Sequence, residues 1–144
     1  MLAAQPLAQI VNLSSLFGII APAGQTAYAA SKFAVRGFSE SLRAELADTG
    51  IGVTVIHPGG VATAIARNAR MGQKVQMDPE TQANASKRMD RLLRLPPAAA
   101  AARIVLGITR REKRVLVGRD AKVMAFIQWL FPVSYNRVLK LIAR

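Results

Sequence analysis

The patterned part of the chain begins with a short run of apolar and branched residues, Gln9 to Ser15, bounded by a loop that contains Pro22 and Gly24. Such a run predicts a parallel strand covered on both faces. Asn12 and the pair Ser14-Ser15 interrupt it near its end. From Thr26 to Asp48, Ala27, Ala30, Ala34, Phe38, Leu42 and Leu46 recur every three or four residues, with Arg36, Glu40 and Arg43 set against them. That spacing predicts an amphipathic helix. Gly50 and Gly52 mark its end, and Val53 to Ile56 predicts a second strand that stops at Pro58, where the ladder loses a donor. Residues 65 to 95 hold Asn68, Gly72, Asp78-Pro79 and many charges among few apolar positions. They predict irregular chain with one or two helices between Pro79 and Pro96. Pro97 is suited to start a helix from Ala98 to about Arg110, and Arg114 to Val117 predicts a third strand ending at Gly118. Asp120 to Arg144 contains the apolar run Val123 to Phe131 and an apolar-basic piece after Pro132.

A chain of 144 residues, 51% hydrophobic, is long enough for one packed domain. It has no cysteine, which excludes disulfides, thiol catalysis and cysteine metal sites; one histidine and eight scattered acids offer no cluster for a metal. Met1 to Ile10 carries no charge and leads straight into a strand, so no signal sequence is expected and the context reads as cytoplasmic. Twenty Lys and Arg against eight Asp and Glu, formally +12, suit an anionic partner but do not choose among nucleotide phosphate, nucleic acid and an acidic membrane surface. The basic residues concentrate after Lys87 and read mostly as solvated helix faces, with no nucleic acid expected. The nine-residue run Val123 to Phe131 cannot span a bilayer, which takes about 20 residues. With Trp129 and Phe131 flanked by Lys122, Arg137, Lys140 and Arg144, it is fit to lie in a membrane interface or to pack within protein. Packing is the preferred reading.

Candidate chemistry sits in Thr26-Ala27-Tyr28-Ala29-Ala30-Ser31-Lys32. On a helix, Tyr28 and Lys32 share one face at neighbouring height. A fixed ammonium beside a phenol favours the phenolate, which equips the pair for proton transfer. The spacing alone recurs by chance. Here it follows Ser14-Ser15 and precedes Gly52 to Ile56, His57, Pro58, Gly59, Gly60, Val61, Ala62 and Thr63.

In that order and setting the chain resembles the short-chain dehydrogenase/reductase family, strongly from about Gln9 to Ala64 and weakly to Gly118. The resemblance implies an α/β fold, a partial Rossmann-like doubly wound parallel sheet comprising the last three strands with flanking helices. It implies an oxidoreductase moving hydride between NAD or NADP and a small-molecule alcohol or carbonyl. Ser15, thirteen positions before Tyr28, takes the role of catalytic serine rather than Ser14, with Tyr28 as proton donor and acceptor and Lys32 as its electrostatic partner. The cofactor-binding set is Tyr28, Lys32, Pro58, Gly59, Val61 and Thr63, with Gly60 a weaker candidate, and no metal. Asn12 and His57 read as structural. The region from 65 to 95 corresponds to the family's lid over the substrate. Residues 1–118 then form the carboxyl-terminal part of the Rossmann domain and residues 119–144 an apolar-basic helical extension.

The family's glycine-rich turn, Gly-x-x-x-Gly-x-Gly, and its Asn-Asn-Ala-Gly segment do not occur in the 144 residues. The resemblance therefore implies a truncated, carboxyl-terminal portion, with weak dinucleotide affinity and an apolar sheet edge at the first strand. Three functional readings follow: an oxidoreductase impaired as it stands, a catalytically silent fragment or association module, and peripheral membrane-surface binding through the basic carboxyl-terminal segment. A homo-oligomer accords with the second.

Overall fold

A computed structural model of the protein describes residues 8–64 and 93–142. Three parallel strands form one sheet in the order β1 (Ala8–Leu13), β2 (Ile51–Pro58), β3 (Arg114–Val117). Ala8 pairs with Ile51 and Leu13 with Ile56; Val55 pairs with Arg114 and Pro58 with Val117. Helix α1 (Thr26–Glu45) crosses from β1 to β2, after a short 3-10 turn at Leu16–Gly18. Helix α2 (Pro97–Thr109) leads into β3, and α3 (Arg119–Leu130) and α4 (Tyr135–Ile142) follow it. All three predicted strands and the helices begun at Thr26 and Pro97 are present, as the α/β class requires. Pro97 opens α2, where its missing N–H is not needed.

The alternation of β3 divides the interior into two cores. Val115 and Val117 point to one face and join Ile56, Ala100 and Ile104 beneath α2. Leu116 points to the other, where Leu16, Ile19, Ile20 and Ala121 are buried with Phe17, Met124, Tyr135 and Leu139 around them. Helices α3 and α4 therefore share a core with the turn that follows β1. The Tyr135 hydroxyl closes that contact by accepting the Ala21 N–H at 2.9 Å.

Two local expectations fail. Of the predicted α1 stripe, Ala27, Ala30, Ala34 and Phe38 are exposed, Phe38 by 61%, and only Leu42 and Leu46 are half-buried. The inward face carries Ala29 and Ser39, both buried, with Arg43 half-buried. Specific hydrogen bonds explain why polar residues face inward. Ser39 Oγ donates to Val35 O and accepts from Asn12 Nδ2 at 3.0 Å, and Arg43 reaches Val53 O at 3.1 Å and Lys113 O at 2.8 Å. A buried polar group with its partner satisfied is tolerated, and the apolar count then misreads the face. Nor is β1 covered on both sides. Val11 is 39% and Leu13 59% exposed, because α2 covers the faces of β2 and β3 and leaves the outer strand bare.

The expected lid lies outside the described residues except for its last three. There Leu95 forms an isolated parallel bridge with Val61, with Ala62 N donating to Leu95 O at 2.8 Å and Leu95 N to Gly60 O at 3.0 Å. Among the described residues no helix is long and apolar enough to cross a membrane.

Candidate active site

The carboxyl end of β1 turns sharply at Ser14 and Ser15, and the two hydroxyls do different work. Ser14 is buried and donates to the Lys32 carbonyl at 2.9 Å, which fastens the strand end to the middle of α1. Ser15 caps the 3-10 turn: its backbone is extended and its Oγ accepts the Phe17 N–H at 3.1 Å. That bond uses a lone pair and leaves the hydroxyl proton for another acceptor. The turn can press this close to α1 because Gly18 has no side chain. A Cβ there would stand 2.7 Å from the Lys32 carbonyl oxygen and would also strike the Ser14 hydroxyl.

Tyr28 and Lys32 face this turn from α1. The Phe17 and Tyr28 rings meet edge to face, with centroids 5.9 Å apart and planes at 81°. Lys32 Nζ lies 5.5 Å from the Tyr28 ring centroid and donates to Leu13 O at 3.4 Å. Tyr28 remains 42% exposed. The structure thus gathers the Ser15 turn, Tyr28 and Lys32 at one sheet end. Among the described residues no hydrogen bond joins their three side chains to one another.

Under this corner lies His57, fully buried on β2. Its Nδ1 is 2.8 Å from Ser15 O, and since a carbonyl only accepts, that nitrogen carries the proton. Burial holds the imidazole pKa below its usual value, outweighing the raising effect of the Ser15 carbonyl; Arg114 and Arg36 push it down further. Among the described residues the buried Nε2 has no hydrogen-bond partner, and the bond at Nδ1 bears on the backbone of Ser15. Asn12, bonded to Ser39, is structural as expected.

The second part of the site is the loop after β2. Pro58 ends the ladder, and Gly59 N donates to Val117 O at 2.9 Å. Two tight turns follow, Val61 N to Gly59 O at 3.0 Å and Thr63 N to Val61 O at 2.9 Å, and they leave Thr63 exposed. Asp120, in the first turn of α3, accepts the Gly60 N–H at 2.6 Å, and its carboxylate lies where a Cβ on Gly59 would be. Sequence reasoning missed Asp120. Its only signal was an acid in the first turn of a helix after Gly118, which ordinarily reads as complementing the helix dipole.

The family model described as short chain dehydrogenase matches residues 1–74. "Putative oxidoreductase SadH" of Mycobacterium tuberculosis is 46% identical over 133 residues, covering 90% of this chain and 46% of that protein. "Dehydrogenase/reductase SDR family protein 7-like" of Anopheles gambiae is 36% identical over 136 residues, covering 92% of this chain and 40% of that protein. The chain thus spans about half the length of the curated relatives it matches. Among solved structures, a short chain dehydrogenase/reductase from Burkholderia phymatum in complex with NAD is similar with a TM-score of 0.71 at 25% identity, covering 89% of this chain and 49% of that one. The residues the family model matches, just over half of the chain, include the serine turn, the Tyr28–Lys32 face and the Pro58 loop, and on these grounds the chain belongs to the short-chain dehydrogenase/reductase family.

Proposed function

We propose that the protein transfers hydride between NAD or NADP and the carbon of a small alcohol or carbonyl compound, with Ser15, Tyr28 and Lys32 handling the oxygen and its proton. The observation that carries this reading is the placement of the Ser15 turn, Tyr28 and Lys32 at the carboxyl end of a parallel sheet, with Phe17 of that turn edge-on to the Tyr28 ring and Lys32 beside it. Ligands in open α/β sheets bind outside that end.

The donor set fits a nicotinamide nucleoside. Lys32 spends one of its three N–H groups on Leu13 O and keeps two for ribose hydroxyls. Thr63 is exposed with a hydroxyl suited to the carboxamide, and Pro58, Gly59 and Val61 lie on the same loop. When bound, the cofactor supplies or accepts the hydride. The chain's own residues manage the rest. Tyr28 gives its phenolic proton to the substrate oxygen in reduction and takes it back in oxidation. Ser15, with its lone pair engaged by Phe17 N–H, donates its own proton to the same oxygen and orients it. Lys32, 5.5 Å from the Tyr28 ring centroid, would hold the cofactor ribose next to the phenol. His57 holds the Ser15 backbone and stays neutral, since burial disfavours its cation.

The decisive experiment is NAD(P)H-dependent turnover of an aldehyde and ketone panel at millimolar cofactor, compared between the wild type and Tyr28→Phe. Turnover that survives this substitution unchanged excludes the mechanism. A second reading, a catalytically silent association module, is favoured by the bare edge strand with Val11 and Leu13 exposed. Titration of NADH fluorescence separates the two, because micromolar binding by the 144 residues defeats the silent reading.

A further inference from the structure

Helix α3 is apolar on two opposite faces, and among the described residues only one of them has a packing partner. Ala121, Met124 and Ala125 turn inward to the core shared with Leu16 and Ile19. Val123, Phe126 and Leu130, spaced by three and four, form a stripe on the other side and are 52%, 59% and 51% exposed. A helix hydrophobic all round ordinarily belongs in a protein interior or in lipid. Trp129, 73% exposed, joins the stripe through Phe126, with ring centroids 5.9 Å apart, and Val133, 92%, and Leu141, 70%, are further exposed apolar residues of the same carboxyl-terminal segment. Exposed apolar surface on this scale calls for an occupant.

Charge identifies it. From Ala121 to the end of the chain the sequence has no Asp or Glu, while Lys122, Arg137 and Lys140 are exposed beside the apolar residues. Asp120, the nearest acid, is committed to Gly60 N–H. A groove of about 370 Å³ runs between Trp129, Phe126, Lys122, Arg114 and Arg36. Arg36 is paired with Glu40 at 2.9 Å, so Lys122 and Arg114 are its cations without an ion pair among the described residues. We infer that the outer face of α3 and α4 docks on an anionic phospholipid bilayer, with Trp129 and the stripe at the acyl boundary and the cations among the phosphates. Tryptophan prefers that depth, and basic side chains beside exposed apolar ones suit an anionic headgroup layer. A second copy fits less well: a two-fold interface places the patch against itself and opposes like cations. A nucleic acid would answer the charge and leave the apolar stripe in water.

The chain has a single tryptophan, so Trp129 reports the contact directly. With vesicles of phosphatidylcholine containing a third phosphatidylglycerol, its emission should shift to the blue and be quenched by brominated acyl chains, and the protein should co-sediment. Each basic residue near such a surface is worth roughly fivefold in affinity, so R137E/K140E should weaken binding by at least about 25-fold with an unchanged circular dichroism spectrum. Binding should also fall with added salt. Three results overturn the inference: no Trp129 shift with anionic vesicles, equal binding to pure phosphatidylcholine, or a Trp129 shift that follows protein concentration without lipid, which assigns the face to a second copy. None of these depends on catalysis, and Tyr28→Phe should bind vesicles like the wild type.

Discussion

The serine corner and the Pro58 loop flank one candidate site but are built on different principles. The corner is local. Ser14, Ser15, Phe17, Gly18, Tyr28 and Lys32 lie within 19 residues and hold one another by the Ser14–Lys32 bond, the Ser15 cap and the Phe17–Tyr28 contact. The loop is held from afar. Its glycines are fixed by Val117 and Asp120, about sixty residues downstream, and by Leu95 at the far end of the intervening chain. Damage at Ser15 or Tyr28 of the corner should therefore appear in the chemistry, damage at Ser14 in stability, and damage to the loop in stability and cofactor affinity.

The largest expected effect tests the corner. Tyr28→Phe removes the transferable proton and should lower kcat about 10²–10⁴-fold, with little change in melting temperature because the side chain is half exposed. Next, Asp120→Ala takes away a charge-assisted bond and should cost about 1.5–3 kcal/mol in urea unfolding, while Asp120→Asn keeps an acceptor and should recover most of that. In turnover assays Asp120→Ala should raise the cofactor KM more than it lowers kcat; the opposite pattern would erase the contrast drawn above. Ser14→Ala should cost about 1 kcal/mol and leave kcat near the wild-type value, whereas Ser15→Ala should lower kcat at nearly full stability. Equal kinetic loss at both serines would mean that their roles are not divided.

The mildest effect is on pH. The folded protein holds His57 below its ordinary value, so the unfolded chain takes up the proton first as pH falls. The contribution of neutral His57 is complete above about pH 6.5 and is lost progressively as pH drops toward the lowered value. Melting temperature recorded against pH should show this decline, and His57→Gln should flatten it.

How much of this was legible follows the same division. A tyrosine and a lysine one helical turn apart, thirteen positions after a serine, are visible because their relation is short and periodic. The strands of the sheet were equally visible as brief apolar runs between glycines and prolines. The inward face of α1 was not, since Ser39 and Arg43 are buried by bonds to Asn12, Val53 and Lys113 that no count of apolar residues contains. Asp120 escaped for the same reason: its partner Gly60 is sixty positions away, and an acid opening a helix has a commoner explanation. His57 was seen as structural, but its grip on the Ser15 carbonyl depends on the register of β2 against the end of β1.

The short parallel bridge between Val61 and Leu95 works as a clasp at the base of everything threaded between them. Once both ends of an excursion are pinned to a scaffold, lengthening it is inexpensive, with each doubling adding only about 0.6 kcal/mol of closure entropy. A change in the length of the sequence between Val61 and Leu95 should therefore leave the register of the sheet and the serine corner in place.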